Sequence, residues 1–335
     1  MTKNWPTSLP GISVQTQPII IISGPTATNK TQISLKVASA IKDQLNQPVV
    51  IVNFDSLLFY QELSIGTAKP SPVELAMNPH ELINIRSITS PFNTADFVKT
   101  ASDLIARHHA NHQVIILVGG SSFYLRALIK GMYDSCQISP QQKLINESEY
   151  KKNGITFFIN YLKQYDLESY QSLHPNDHYR IIRAVEHHMM TTEKLSDQKK
   201  VFDHNSPYDF SINQHPNWNI FHLYLDIPKL EHQKIIQKRV HAMLANHLIE
   251  EVQNLLRQGI TGKEKPINSV GYSEVLDYLA GKIKSQEELV QKMVIATRQL
   301  AKGQRTFFKK VTPKNSYHGL NDEKKIISDV LAFLR

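Results

Sequence analysis

Residues 18–31 read Pro-Ile-Ile-Ile-Ile-Ser-Gly-Pro-Thr-Ala-Thr-Asn-Lys-Thr, and this stretch decides the fold. The unbroken β-branched run Ile19–Ile22 predicts a strand buried on both faces, as in a parallel sheet. It stops at Gly24-Pro25, passes through small residues and reaches Lys30-Thr31. From Gln32 to Lys42 the apolar residues Ile33, Leu35, Val37, Ala38 and Ile41 follow a helical spacing. Strand, tight loop, Lys-Thr and helix are the context of a phosphate-binding loop. Its amides and helix N-terminus attract anions, Lys30 adds a point charge, and the Thr31 hydroxyl is a candidate magnesium ligand. The candidate phosphate-binding residues are therefore Gly24, Pro25, Thr26, Ala27, Thr28, Asn29, Lys30 and Thr31. One position departs from the pattern G-x-x-x-x-G-K-[ST], because Asn29 occupies the second glycine. Asparagine tolerates positive φ better than most residues, so the turn can survive. The competing reading is an ordinary strand-to-helix turn that happens to contain Lys-Thr.

Working outward, Val49–Asn53 is a second apolar strand that ends at Asp55-Ser56, and Leu82–Ile85 is a short third candidate. Val114–Val118 runs into Gly119-Gly120-Ser121-Ser122, with helical spacing from Phe123 to Lys130, and Asn219–Leu225 reads as the last strand. Strands separated by helical segments predict an α/β fold: a P-loop NTPase-like parallel sheet flanked by helices. Ligands in such sheets bind at the carboxyl ends of the strands, and three of these ends carry polar chemistry: 24–31, Asp55-Ser56 and 119–122. The expected organisation is a flexible arm over 1–17, a core of 18–136 and 213–315, a helical insertion over 137–212 and a C-terminal tail segment over 316–335. Within the insertion lie Lys143, Lys151, Lys152, Lys163, Arg180 and Arg183. Pro228–Gln258 and Glu274–Lys310 read as helical, the latter as two helices with Lys292, Arg298, Lys302, Arg305, Lys309 and Lys310 in the second.

Composition narrows the class. The chain has 335 residues, 41% hydrophobic and 20% charged, which is globular and long enough for one large or two smaller domains. Thirty-eight Lys+Arg against 30 Asp+Glu give a formal net charge of +8 and a pI of about 9.3, which favours a polyanionic partner. The single cysteine, Cys136, excludes a disulfide framework within the chain and a cysteine-based zinc site. The longest apolar run is too short to span a bilayer, and residues 1–17 lack a signal-peptide pattern, so a cytoplasmic protein without a membrane partner is expected.

Asp55, directly after a strand, suits magnesium binding through water or general-base work, with an N-cap or turn aspartate as the alternative. Ser121 could donate to a developing charge, or be only a small turn residue. His174-Pro175-Asn176-Asp177 reads as a helix-capping turn, and Arg180 and Arg183 one turn apart could grip phosphates or form a solvated basic face.

Taken in order, the motifs resemble the tRNA dimethylallyltransferase (tRNA isopentenyltransferase) family over about residues 19–310. The resemblance is carried by Gly-Pro-Thr-Ala (24–27) with Lys30-Thr31, Asp55-Ser56 with Tyr60, and Ile-Gly-Thr-Ala-Lys-Pro (65–70). Pro79-His80, Ala95-Asp96-Phe97, Leu117-Val118-Gly119-Gly120 with Tyr124, and His174–Asp177 with Arg180, Arg183-Ala184 and Glu186 follow. Val270-Gly271-Tyr272 and Ala-Thr-Arg-Gln-Leu-Ala-Lys (296–302) complete the series. The resemblance implies a phosphate-loop fold whose helical insertion grips the tRNA anticodon stem-loop. It also implies transfer of a dimethylallyl group from dimethylallyl diphosphate to N6 of the adenosine at tRNA position 37, just 3′ of the anticodon. The loop 24–31 would then hold diphosphate with Mg2+ at Thr31. Lys30, Asp55 and Ser121 become the catalytic candidates, with Asp55 accepting the N6 proton. Asp55, Ser56, Leu57, Leu58, Ser121, Lys143, Tyr179, Arg180, Ile181, Ile182 and Arg183 match tRNA-contacting positions, and a monomer is expected.

The chain also departs from that family. Lys229 and Ile235 stand where it carries arginines, Asn268 and Ser273 flank Val-Gly-Tyr where arginines are usual, and Gly303 replaces a basic residue. Asn29 and His247 stand where it carries glycines, and Ser121 replaces a threonine while keeping the hydroxyl. Each charged hydrogen bond lost to an anion typically costs about 1.5–3 kcal/mol. Beside an active transferase, a weakened or inactive relative that retains the fold and tRNA binding is therefore the alternative, and a small-molecule kinase the third reading.

Overall fold

The computed structural model describes residues 16–132, 138–203 and 206–335; residues 1–15 of the expected arm and Cys136 lie outside them. The described chain forms two compact units, one running to Ile129 and resuming over Asn213–Arg335, the other Lys130–Ile212.

The first unit begins with β1 (Gln17–Ser23), α1 (Lys30–Leu45), β2 (Val49–Asn53), α2 (Pro72–Met77), β3 (His80–Glu81), α3 (Thr94–Ala110), β4 (Val114–Gly119) and α4 (Ser122–Lys130). The second unit holds α5 (Pro140–Asn153), α6 (Ile155–Tyr165), α7 (Leu167–Ser172), α8 (His178–Thr191) and α9 (Leu195–Asp203). The first unit resumes with β5 (Trp218–Asp226), α10 (Lys229–Ala245), α11 (Leu248–Arg257), α12 (Tyr272–Leu279), α13 (Gln286–Lys310), β6 (Asn315–His318) and α14 (Glu323–Leu334).

The six strands form one sheet in the order β3-β2-β4-β1-β5-β6, and every pairing is parallel. β1 sits between β4 and β5, with Ile19 opposite both Ile115 and Ile220. Its four isoleucines, 19 to 22, are fully buried, as an apolar strand covered on both faces must be. The apolar stripe of α1, including Ile33, Val37 and Ile41, packs under the sheet with Ile326, Val330 and Leu331 of α14. Because all strands run the same way, the ends of β1, β2 and β4 open onto one edge, where the loops 24–31, 54–58 and 120–122 meet.

Four expectations are corrected. Gln17 already belongs to β1, pairing with Trp218. The third strand is His80–Glu81, two residues before the apolar Leu82–Ile85. Leu82 (φ 62°) and Asn84 (φ 57°) are left-handed, and the backbone from Asn84 to Arg86 bonds instead to Leu58 and Phe59. β5 is not the last strand, and 316–335 is no tail. β6 pairs with β5 through Leu223–Asp226, and α14 covers the sheet beside α1. Finally, the helical stretch after β5 breaks at Asn246-His247, where His247 adopts φ 68°.

The second unit has its own core of Phe158, Leu162, Ile181, Ala184, Val185 and Leu195.

Candidate active site

The loop after β1 is shaped by close approaches. A Cβ at Gly24 would lie 2.3 Å from the Leu225 carbonyl oxygen of β5, so only glycine fits there. Thr28 Oγ1 donates to the Pro25 carbonyl at 2.8 Å and closes the turn. Ala27 (φ 61°) and Asn29 (φ 69°) are both left-handed. Asn29 therefore takes the backbone conformation that the pattern's glycine supplies, and α1 starts at Lys30. Lys30 Nζ folds back and donates to the carbonyls of Gly24 (3.1 Å) and Pro25 (2.7 Å). Burial lowers its pKa to about 8, Arg239 adds to the lowering, and Asp55 opposes it. Thr31 is half-buried in the first turn of α1.

The end of β2 presents Asp55 in a rigid turn. Asn53 Oδ1 accepts the Asp55 N–H at 2.8 Å, while Asn53 Nδ2 donates to the carbonyls of Asp55 (3.0 Å) and Leu82 (2.9 Å). Asp55 Oδ1 accepts the Leu57 N–H at 3.2 Å. The field of this carboxylate acts on Lys30 and on Arg239 of α10, opposing the lowering that burial imposes on both. A carboxylate thus sits within the field of two cations at one sheet edge, an arrangement that can bind an anion and accept a proton beside it.

Ser121, after β4, faces Ser56. Its Oγ accepts the Ser56 N–H at 3.0 Å and donates to the Ser56 hydroxyl at 3.3 Å, tying the ends of β2 and β4 together. The structure therefore brings together 24–31, Asp55–Leu58 and Ser121. Lys143 and Tyr179–Arg183 belong to the second unit, on α5 and α8. There Lys143 is exposed, and Arg180 is exposed with an ion pair to Asp177 at 3.4 Å. Arg183 pairs with Glu186 at 3.0 Å, which also accepts from Asn146 Nδ2 at 3.2 Å. Ile181 is corrected: at 3% exposure it belongs to that unit's core and offers no side chain to RNA, and Ile182 is partly buried against the same core. Asp177 caps α8 through the Arg180 N–H, as the capping-turn reading expects.

Several site residues escape sequence reasoning. Arg239 Nη2 donates to the Thr67 carbonyl at 3.2 Å, inside the Ile65–Pro70 motif. That turn is held by Glu251, which accepts the Ile65 N–H at 2.9 Å and the Tyr272 hydroxyl at 2.6 Å. Gly66 lies against the Tyr272 ring, where a Cβ would come within 2.5 Å. His232 Nε2 bonds the Thr26 carbonyl at 2.8 Å, and Gln304 Oε1 accepts the Thr26 N–H. Arg305, which the sequence leaves among the basic residues of α13, turns inward to a two-pronged pair with Asp226 at 2.8 and 3.0 Å. Among the departures, Asn268 Nδ2 holds the carbonyls of Gly262 and Glu264, while Lys229 and Gly303 are exposed.

Comparison with known proteins now bears on this edge. A family profile described as IPP transferase matches residues 58–311. A "tRNA dimethylallyltransferase 1" from Trichlorobacter lovleyi is 36% identical over 292 residues, which is 87% of this chain and 90% of that protein. The chain belongs to the IPP transferase family. A further relative, the "tRNA dimethylallyltransferase" of Picosynechococcus, is 34% identical over 88% of this chain and 91% of its own length. Among solved structures, the tRNA Δ(2)-isopentenylpyrophosphate transferase of Staphylococcus epidermidis aligns with a TM-score of 0.64 at 27% identity, covering 95% of this chain and 98% of that one. A eukaryotic dimethylallyltransferase, crystallised acting on tRNA, shares the fold with a TM-score of 0.74 at 21% identity, covering 95% and 80% of the two chains. The resemblance read from the motifs is thus a family membership, and the parallel sheet flanked by helices is the family's fold.

Proposed function

We propose that this IPP transferase transfers a dimethylallyl group from dimethylallyl diphosphate to N6 of the adenosine at tRNA position 37, releasing diphosphate. The observation that carries the reading is the convergence of Lys30, Asp55 and Arg239 at one sheet edge. In the step, the N6 amine attacks the allylic carbon as the bond from that carbon to the diphosphate oxygen breaks. Asp55 takes the N6 proton, and Lys30 and Arg239 receive the charge that develops on the leaving diphosphate. The phosphate loop is assigned to diphosphate rather than to ATP.

For Mg2+, the hydroxyl of Thr31 and the carboxylate of Asp55 are hard oxygen donors of the right kind. Among the described residues no group of three or more His, Cys, Asp or Glu could hold a metal alone. The hydroxyl of Thr31 would hold the ion on the protein side. When bound, the ion would neutralise part of the leaving-group charge.

The proposal gives the anticodon stem-loop to Lys143, Tyr179, Arg180, Ile182 and Arg183 of the helical insertion 137–212, together with Asp55–Leu58 and Ser121. The working form is a cytoplasmic monomer; among the described residues no helix is long and apolar enough to cross a membrane. The inactive alternative has less support, because Asn29 retains the left-handed turn and Lys30, Asp55 and Arg239 are all in place.

The test is incubation with radiolabelled dimethylallyl diphosphate, magnesium and tRNA lacking the modification. Label is expected on the adenosine 3′ of the anticodon. Binding of tRNA without label transfer at any enzyme concentration would overturn the proposal in favour of the inactive relative.

A further inference from the structure

Asparagine at the start of a helix normally accepts the amides of the first turn with its own side chain. Asn29 stands at the N-terminus of α1 and makes no such bond. Its Nδ2 donates instead to the carbonyl of Gly319, 290 residues along the chain, at 3.1 Å. Gly319 follows β6 and is itself fixed. Its N–H donates to the Asp226 carbonyl at 3.1 Å, and the neighbouring His318 N–H donates to the Asp322 carboxylate at 2.7 Å. The turn also presses on the loop directly, since a Cβ at 319 would lie 2.3 Å from the Thr28 carbonyl oxygen. Only glycine allows that approach.

From this geometry we infer that Asn29 is a positioning residue for the diphosphate site, acting through Gly319. The left-handed backbone of Asn29 and the pull of the Gly319 carbonyl together keep its carboxamide away from the first-turn amides of α1. Those amides remain available to an anion, which is what the pattern's glycine achieves by having no side chain. The loss of the loop glycine is thereby offset by a contact from the C-terminal turn. This deepens the proposed function and rests on its assignment of the loop to diphosphate.

The experiment compares the wild-type chain with Asn29→Gly, Asn29→Ala and Asn29→Ser. It measures binding of inorganic diphosphate with magnesium by calorimetry, then kcat and the donor KM with tRNA, tRNA affinity and the melting temperature. Asn29→Gly is expected to bind diphosphate several-fold more tightly than Asn29→Ala and with a lower donor KM, because glycine takes the same φ without a side chain to stow. Asn29→Ala should weaken diphosphate binding and raise the donor KM about tenfold, the size of a left-handed penalty of ~1.4 kcal/mol, with kcat within about twofold. Asn29→Ser, too short to reach Gly319 and a good capping residue, should lose donor affinity while its melting temperature is unchanged or higher. A merely structural role would not separate those two readings.

Diphosphate affinity unchanged in both Ala and Ser variants overturns the inference. So does an Asn29→Gly variant as weak as Asn29→Ala, since the carboxamide would then itself touch the anion. A wild-type chain that binds inorganic diphosphate but transfers no dimethylallyl group overturns the proposed function alone; one that binds no diphosphate overturns both.

Discussion

Gln304 accepts the amide of Thr26 at 2.8 Å, so α13 holds one of the phosphate loop's own N–H groups from behind. The same carboxamide donates to the Gly120 carbonyl at 2.9 Å, linking the loop after β1 to the one after β4. Both partners are lost in Gln304→Ala, leaving a carbonyl and an amide unpaired in a buried place. A loss of about 2–4 kcal/mol is expected. Urea unfolding monitored by circular dichroism measures it, as a lower midpoint at unchanged slope.

The Lys30 ammonium, with a pKa lowered to about 8, makes donor binding sensitive to pH. Diphosphate selects the cation, which dominates below about pH 8 and is lost as pH rises through that value. The kcat/KM for dimethylallyl diphosphate should therefore fall above pH 8 in wild type. In Lys30→Arg, whatever its absolute rate, this limb should flatten because a guanidinium keeps its proton. Stability of the ligand-free chain moves the other way. Between about pH 8 and 10.5 the unfolded state holds the Lys30 proton and the folded state has released it, so this group makes the fold more stable as pH rises across that window. Opposite signs for affinity and stability over the same range identify the group.

Asp55→Asn preserves the shape of the turn and its bond to the Leu57 N–H but removes the base. Turnover should drop by about 10²–10⁴-fold with tRNA affinity unchanged, as read by single-turnover transfer and filter binding. Equal losses in both would leave Asp55 its RNA-binding role alone and remove it as the base.

Glu251 stands behind the Ile65–Pro70 turn and, through Thr67, behind Arg239. Tyr272→Phe removes the 2.6 Å hydroxyl donation to Glu251 and should cost about 1–2 kcal/mol of stability. Glu251→Gln places an amide against backbone donors and should raise the donor KM and lower kcat together, because the turn it loosens carries Arg239, which is proposed to bind the diphosphate and to receive its developing charge. Steady-state kinetics with varied donor separate the two parameters.

What the sequence made legible was local. The run Ile19–Ile22, the loop to Thr31 and the stripe of α1 each follow from contiguous pattern, and Asp55 and Ser121 from their places after strands. Arg239, His232 and Gln304 were hidden because their partners lie far along the chain, 278 residues for Gln304 and Thr26, and nothing near them in sequence marks the contact. β6 was missed because Asn315–His318 is short and polar, buried mainly at Tyr317. Leu82–Ile85 misled for the opposite reason: it is apolar but a left-handed loop, in which Leu82, 2% exposed, fills the core while Ile83 and Ile85 are only partly buried. Asn29 and His247 show a third limit, since a residue that replaces glycine reveals only in three dimensions that it has kept glycine's φ.

The bond from Asn29 to Gly319 also orders events during synthesis. The phosphate loop leaves the ribosome among the first segments of the described chain, yet its central strand needs β4 and β5, and its last hydrogen bond needs the turn after β6. Between them comes Lys130–Ile212, which carries its own core and can collapse on its own while the sheet is still waiting. A nascent chain stalled before β5 would therefore leave β1 without that partner, and one stalled before residue 319 would still carry an unfinished anion cradle. Premature termination anywhere upstream should yield a chaperone client rather than a weaker transferase.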